Sequence, residues 1–374
     1  MSPRDPRPSI LHLCAGNQYG GVESMLVCLG REASAGGGLR HDFACCYEAR
    51  FAGELRQAGA TVHRLPSPRL SRPWEVLRAR AALRRHLRQA LPAVVVTHSS
   101  WVRLVFGRAL VPARGPTVAW VHTACTPPSL MDRWGQRPAP RLVILNSRHT
   151  LDRCGALFPG SPREILYSPV PPPPPIDPTS RRRLRDSLRA PPDHAVILIA
   201  ARLEPWKGHE ALLDALARLP ASCRWISWIA AGPQNPAQTT YLPTLRERAR
   251  QRGIADRVAF LGERKDVSEL LDAADVYCQP NLEPEPFGVV FVEALYAGRP
   301  VLATAIGGAR EIVTERCGRL VAPGDIPGLS SALAELIERP ESRARLGAGG
   351  PARAAELCDP RRQTRALEDL LSAL

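Results

Sequence analysis

The sequence predicts an α/β protein made of two Rossmann-like domains, each a parallel sheet with helices on both faces. Three observations carry that expectation. Short apolar runs alternate with amphipathic helical patterns along the whole chain, as in parallel sheets covered on both sides. The length of 374 residues exceeds what a single core usually fills. A proline run at residues 169–178, PVPPPPPIDP, interrupts the alternation near the middle; stiff and extended, it suits a linker better than a core. The expected division is residues 1–169, a linker at 170–180, a second domain at 181–358 and a last stretch at 359–374.

Residues 9–14 (SILHLC) read as the first strand, followed by AGNQYGG and the helical pattern VESMLVCLGREA. Strand, glycine-bearing turn and helix open a dinucleotide-type fold. Gly20 and Gly21 stand where a diphosphate could approach the backbone at the helix start. Further strand-like runs fall at 41–46, 61–65, 93–97, 116–121 and 141–145. At the carboxyl ends of such strands, where open α/β sheets bind ligands, stand Thr97-His98-Ser99, His122-Thr123 and Asn146-Ser147. Between two of these strands, residues 73–91 read as a helix rich in arginine: Arg78, Arg80, Arg84, Arg85 and Arg88. Val76, Leu83, Leu87 and Ala90 recur at helical spacing and face inward. The arginines form either a solvated face or a contact with anionic lipid.

The second half restarts the alternation, from the strand HAVILIAA through RWISWIAAG, VAFLG and DVYCQP. Arg202 and Lys207 lie five residues apart on the loop leading to its first helix, a placement that suits a diphosphate. Lys207 and Lys265 are the only lysines in a chain that uses arginine elsewhere. Residues 283–311 read EPEPFGVVFVEALYAGRPVLATAIGGARE. Pro284 and Pro286 keep the segment before Phe287 out of a helix. Gly288 leads into a helical, mostly apolar run, closed by Gly298 and Pro300. Glu293 sits inside VVFVEAL, where a carboxylate needs hydrogen-bond donors; a ribose diol supplies two. Glu285 lies about two helical turns earlier, on the order of 12 Å away. Backbone N–H groups near Phe287, Gly288 and Val289 fall between the two acids, an anion site at a helix start.

The stretch EPEPFGVVFVEALYAGRPVLATAIGGAREIV, with R-x4-K-G upstream, resembles the signature of glycosyltransferase family 4, retaining enzymes of the GT-B fold. The resemblance covers residues 195–325 strongly and the first 170 more loosely. It implies two Rossmann-like domains facing each other across a cleft, with the last helix crossing back to the first domain. The activity it implies is transfer of a sugar from a nucleoside diphosphate sugar to an acceptor hydroxyl. Arg202 and Lys207 would clamp the diphosphate, Glu293 would hold the ribose, and Glu285 with Phe287–Val289 the sugar. His122 would line the cleft near the transferred sugar, Gly20 and Gly21 would meet the diphosphate, and Gly262 and Arg264 would contact the base. No D-x-D pair occurs in the sequence, so no metal and no cofactor beyond the sugar nucleotide is expected. The acceptor, whether saccharide, lipid-linked or small molecule, is unspecified. Where the family carries Asn-Gly before its second domain, this chain has Ser168-Pro169-Val170, which removes any contact made by that turn.

Composition bounds the alternatives. A formal charge of +14 ordinarily points to polyanions, but the arginines are spread along the chain and no aromatic-interleaved basic motif or helix-turn-helix pattern is present, so no nucleic acid is expected. A pyridoxal enzyme would need a Schiff-base lysine; Lys207 belongs to R-x4-K-G and Lys265 to a charged loop. A binding protein without catalysis would have lost part of the motif set, yet Arg202, Lys207, Glu285 and Glu293 are all present. The ten cysteines form no C-x-x-C pair and read as buried hydrophobes in a reducing compartment. With no secretory leader or apolar span in view, the expected location is cytoplasmic, with 73–91 the place for any peripheral membrane contact.

Overall fold

The computed structural model describes residues 6–17, 19–111, 115–123, 130–155, 157–232 and 240–374. The chain divides into two compact units, Met1–Pro171 with Cys358–Leu374, and Pro172–Leu357.

In the first unit the elements run β1 (Ser9–Cys14), α1 (Gly21–Ser34), β2 (Arg40–Cys45), α2 (Arg50–Gln57), β3 (Thr61–Arg64), α3 (Pro73–Ala90), β4 (Val94–Thr97), α4 (Ser100–Leu110), β5 (Thr117–Val121), α5 (Leu130–Gly135), β6 (Leu142–Leu145), α6 (Arg148–Arg153) and β7 (Arg163–Ile165). The strands form one sheet in the order β3-β2-β1-β4-β5-β6-β7, with every pairing parallel. The order reverses between β1 and β4, the switch point where such sheets take ligands. Ser99 and Ser147 cap α4 and α6, accepting from Val102 N at 3.1 Å and Thr150 N at 2.9 Å, as expected of serine at an N-cap. The edge strand β7 is not legible in the sequence: three residues, two of them charged, show no periodicity.

The second unit contains α7 (Pro178–Ser187), β8 (Ala195–Ala200), α8 (His209–Leu216), β9 (Trp225–Ala230), α9 (Tyr241–Gln251), β10 (Val258–Phe260), α10 (Val267–Ala273), β11 (Val276–Gln279), α11 (Val289–Tyr296), β12 (Val301–Thr304), α12 (Ala309–Ile312), β13 (Gly318–Val321), α13 (Ile326–Glu338) and α14 (Pro340–Cys358). Its sheet order is β10-β9-β8-β11-β12-β13, so the switch point lies between β8 and β11. Helix α7 begins inside the stretch read as linker. Asp177 caps it by accepting from Thr179 N at 3.1 Å, and proline is favourable in a first turn, so the last residues of the run turn from linker into helix.

The closing helix α15 (Pro360–Ser372) belongs to the first unit. It packs on α1, burying Leu367 and Leu371 among Ile10, Phe43, Val96 and Trp120 of one sheet face. The opposite face buries Leu11, Leu13 and Val95 against α3 and α4. Strands covered on both faces have no polar side to show, which is why they read as continuous apolar runs.

Candidate active site

In the second unit the residues of R-x4-K-G and of EPEPFG meet at the carboxyl ends of β8 and β11. The loop after β8 closes with a 3-10 turn, Pro205–Lys207, pinned to the end of β11 by Leu282 N donating to Trp206 O at 2.7 Å. Gly208 follows with φ 78, and a Cβ there would lie 1.9 Å from Pro280 O. The conformation and the contact both require glycine, which seats Lys207 directly over the strand end. The Lys207 ammonium donates to Glu285 Oε1 at 2.7 Å, with side chains 6% and 16% exposed. It also stands 4.0 Å from the centre of the Trp206 ring. Burial pulls the Lys207 pKa below its ordinary value, and Glu285 only partly opposes this.

Glu285 is held from its other side. Its Oε2 accepts from Gln279 Nε2 at 2.9 Å and Asn281 Nδ2 at 3.0 Å. Gln279 is oriented in turn by the Tyr277 hydroxyl at 2.5 Å and by Asn281 Oδ1 at 2.8 Å. The backbone is fixed as firmly: Gly308 N donates to Glu285 O at 2.8 Å. A Cβ on Gly307 or Gly308 would fall 2.3 Å from Glu285 O or 2.1 Å from Phe287 O. The downstream glycine pair therefore exists to let β12's following loop touch residues 285–287.

Helix α11 starts beside this cluster. Gly288 caps it at φ 105, and the N–H groups of Val289 and Val290 are those a first helical turn leaves without intrahelical acceptors. Phe287 is buried. Glu293, one turn further on, is partly buried, and its carboxylate makes no hydrogen bond or ion pair with the described residues; burial pushes it up to about 7. Arg202 is half exposed and pairs with Glu204 at 3.1 Å, close enough for its charge to act on Lys207. Gly262 and Arg264 follow β10, two strands from β8 in the sheet. Gly262 has φ 71, and Arg264 is engaged by Asp266 at 2.8 Å.

In the first unit, Gly20 and Gly21 lie at the start of α1. The Glu23 carboxyl reaches back to the Gly20 N–H, and burial raises its pKa despite that bond. A diphosphate bound there would share the helix start with an acid. His122 follows β5, is buried, and is driven down to about 3 by burial. Its carbonyl accepts from Asn146 Nδ2 at 3.3 Å.

Gln279, Asn281 and Tyr277, which hold Glu285, were not singled out by sequence. The available signal was Gln279-Pro280-Asn281: polar amides directly at the end of an apolar strand. Among the described residues no group of three His, Cys, Asp or Glu is placed to hold a metal ion, and no helix is long and apolar enough to cross a membrane.

A basic residue and an acid are thus fixed at a switch point beside a helix start, where open α/β sheets take ligands. Comparison with known proteins agrees at the level of family. Residues 180–353 match the family described as Glycosyl transferases group 1, and residues 6–167 the Glycosyl transferase 4-like domain. The D-inositol 3-phosphate glycosyltransferase of Xylanimonas cellulosilytica is 35% identical over 205 residues, covering 54% of this chain and 47% of the relative. The phosphatidyl-myo-inositol mannosyltransferase of Mycobacterium leprae is 28% identical over 262 residues, covering 65% and 63%. The chain spans about half the length of the curated relatives it first matches. Among solved structures, Anabaena Alr3699/HepE in complex with UDP and glucose superposes with a TM-score of 0.86 at 25% identity, over 98% of this chain and 100% of that one. WaaG, a glycosyltransferase involved in lipopolysaccharide biosynthesis, shares the fold with a TM-score of 0.70 at 18% identity, over 98% and 100%. The chain belongs to glycosyltransferase family 4, of the GT-B fold class.

Proposed function

We propose that the protein transfers a sugar from a nucleoside diphosphate sugar to an acceptor hydroxyl with retention of anomeric configuration, in glycoconjugate synthesis. The observation that carries this reading is the pairing of buried Lys207 with partly buried Glu285 at 2.7 Å, set beside the start of α11. The difficult step is departure of a diphosphate as negative charge builds on it. A desolvated ammonium and fixed N–H dipoles stabilise that charge without reorganisation. Binding of the donor would draw Lys207 to the phosphates, with Arg202, and release Glu285 to the sugar hydroxyls. Phe287, Gly288 and Val289 would offer backbone N–H groups, Glu293 would take the ribose diol, and Gly262 with Arg264 would face the base. Gly20 and Gly21 would meet a diphosphate at the start of α1, and His122 would meet the sugar or the acceptor. The cations take the role a metal plays elsewhere, so no metal ion or organic cofactor enters the reaction. The relatives named for inositol phosphate and phosphatidylinositol support a polar saccharide or lipid-linked acceptor; for the latter, the arginine face of α3 would meet the lipid surface.

The test is sugar transfer measured in EDTA for the wild type, Lys207→Ala and Glu285→Ala. Each variant is expected to lose at least ~100-fold in kcat, the size found when one transition-state charge stabiliser is removed. Normal turnover in both folded variants, or abolition of wild-type activity by EDTA, would overturn the reading. A protein that only binds sugar nucleotides would show donor-dependent thermal stabilisation and no transfer with any acceptor.

A further inference from the structure

Four histidines form a continuous row across the first sheet. His41 on β2, His12 on β1, His98 after β4 and His122 after β5 occupy adjacent strands. They share the sheet face of Phe43 and Trp120, the face covered by α1 and α15. His41 Nδ1 lies 2.9 Å from His12 Nε2, His12 Nδ1 lies 2.8 Å from His98 Nε2, and His98 Nδ1 lies 3.0 Å from His122 Nε2. All four are buried, none more than 8% exposed. At the far end His41 Nε2 stands 3.5 Å from Glu368 Oε1 on α15, within ion-pair reach but not hydrogen-bonded.

A neutral imidazole has one N–H and one lone pair. Burial keeps His12, His98 and His122 well below the ordinary histidine pKa, so these rings stay neutral. His12 and His98 use both nitrogens on neighbours. If one of them donates through Nε2, it must accept at Nδ1, and the next ring must donate through Nε2 as well. With His41 neutral as well, the row has only two arrangements, all rings Nε2–H or all Nδ1–H; a doubly protonated His41 would donate from both nitrogens and leave the other three rings Nδ1–H. Glu368 chooses between them. Its oxygens already accept from Gly38 N at 2.9 Å and Leu39 N at 3.3 Å, and a carboxylate has no proton to give. Burial would raise its pKa, but His41 and these two amides outweigh that and hold it below the ordinary value. A neutral His41 would direct its Nε2–H at Glu368, and every ring behind it would follow. His122 then donates Nε2–H to His98, leaving Nδ1 as a lone pair to which no described residue donates.

We propose that Glu368, facing a neutral His41, is a positioning residue that sets the tautomer of His122 through three intervening imidazoles, so that His122 presents an acceptor to a substrate hydroxyl and disfavours a carbonyl or carboxylate in its place. The substrate half of this statement rests on the sugar-transfer reading; the tautomer half does not.

Long-range ¹⁵N–¹H correlation spectra of histidine-labelled protein without substrate test it. The wild type is expected to show Nε2–H for all four rings at neutral pH. In Glu368→Gln one oxygen becomes an NH2 donor. Placing it toward His41 sacrifices the 3.3 Å bond from Leu39 rather than the 2.9 Å bond from Gly38, so the row should reverse and His122 become Nδ1–H. The value of kcat/KM should fall roughly tenfold, as for one reversed hydrogen bond. In a His12→Phe background the same change at 368 should leave His122 unaltered. A wild-type His122 protonated at Nδ1 overturns the proposal whatever the variants do. So does a His122 tautomer that ignores Glu368→Gln, or one that still responds when His12 is gone. Expected tautomers in a protein that transfers no sugar would keep the row and reject the sugar-transfer reading.

Discussion

At the scale of single residues, Glu293 is out of place for stability, a placement the proposed ribose contact would account for. Its carboxyl is pushed from 4.5 up to about 7 by burial, and no cation opposes the shift. Between those values the folded state holds a proton that the unfolded chain has released. Its contribution to stability is therefore complete at and below the ordinary carboxylate range and declines as pH rises through 7. Glu293→Gln, neutral at every pH, should melt higher than the ligand-free wild type at pH 8, with the gap closing toward pH 4.5. The same variant should raise KM for the donor roughly tenfold, because an amide accepts more weakly than a carboxylate and at fewer sites. Equal melting temperatures at pH 8 would show that Glu293 is not destabilising, and an unchanged KM that it does not touch the donor. A residue that lowers stability while serving a ligand is what a functional site is expected to retain.

Among elements, the loop between β8 and α8 shows what sequence could and could not reveal. Arg202, Lys207 and Gly208 are legible as cations and a glycine ahead of a helix, because loop chemistry is local. The partners of that loop are not. Pro280, Asn281 and Leu282 arrive from β11, more than seventy residues later, and only the parallel sheet order makes β8 and β11 neighbours. For the same reason the histidine row escapes a reading by spacing, although His98 and His122 stand out individually at strand ends. His12 and His41 look like single polar interruptions of apolar strands until β1 and β2 are laid side by side. Gly208→Ala tests how much the loop depends on this packing. Left-handed backbone alone costs ~1–3 kcal/mol for a residue with a Cβ, and the contact at 1.9 Å with Pro280 O forces the loop to move as well. The melting temperature should drop, and transfer should fall about as far as in Lys207→Ala. The double variant should be no less active than Lys207→Ala alone, since both changes act through one ammonium. A Gly208→Ala protein with wild-type melting and activity would mean that Lys207 is placed by something other than this turn.

For the molecule as a whole, the +14 charge matters only where it is gathered and left exposed, and α3 is such a place. Arg80 is spent inside the unit, donating to Val105 O at 2.5 Å and Leu104 O at 3.2 Å. Arg84 likewise reaches Arg108 O at 3.3 Å. Arg78, Arg85 and Arg88 remain on the outward stripe, in line with Trp74 and Leu77, which are 65% and 62% exposed. Large apolar side chains next to cations, opposite a buried stripe of Val76, Ala79, Leu83 and Leu87, fit the proposed contact with a lipid headgroup layer. Each arginine near an anionic surface contributes ~1 kcal/mol, so replacing Arg78, Arg85 and Arg88 by glutamine should weaken partitioning to phosphatidylserine-containing vesicles by ~3 kcal/mol, about a hundredfold. Replacing Trp74 and Leu77 by serine should weaken it further while leaving the salt dependence in place, because the apolar and charged contributions are separate. Vesicle flotation at low and high salt reads both. If wild-type protein fails to float with anionic vesicles at low salt, or if the arginine variant floats equally well, α3 is a solvated face and an acceptor embedded in lipid must be met elsewhere on the chain.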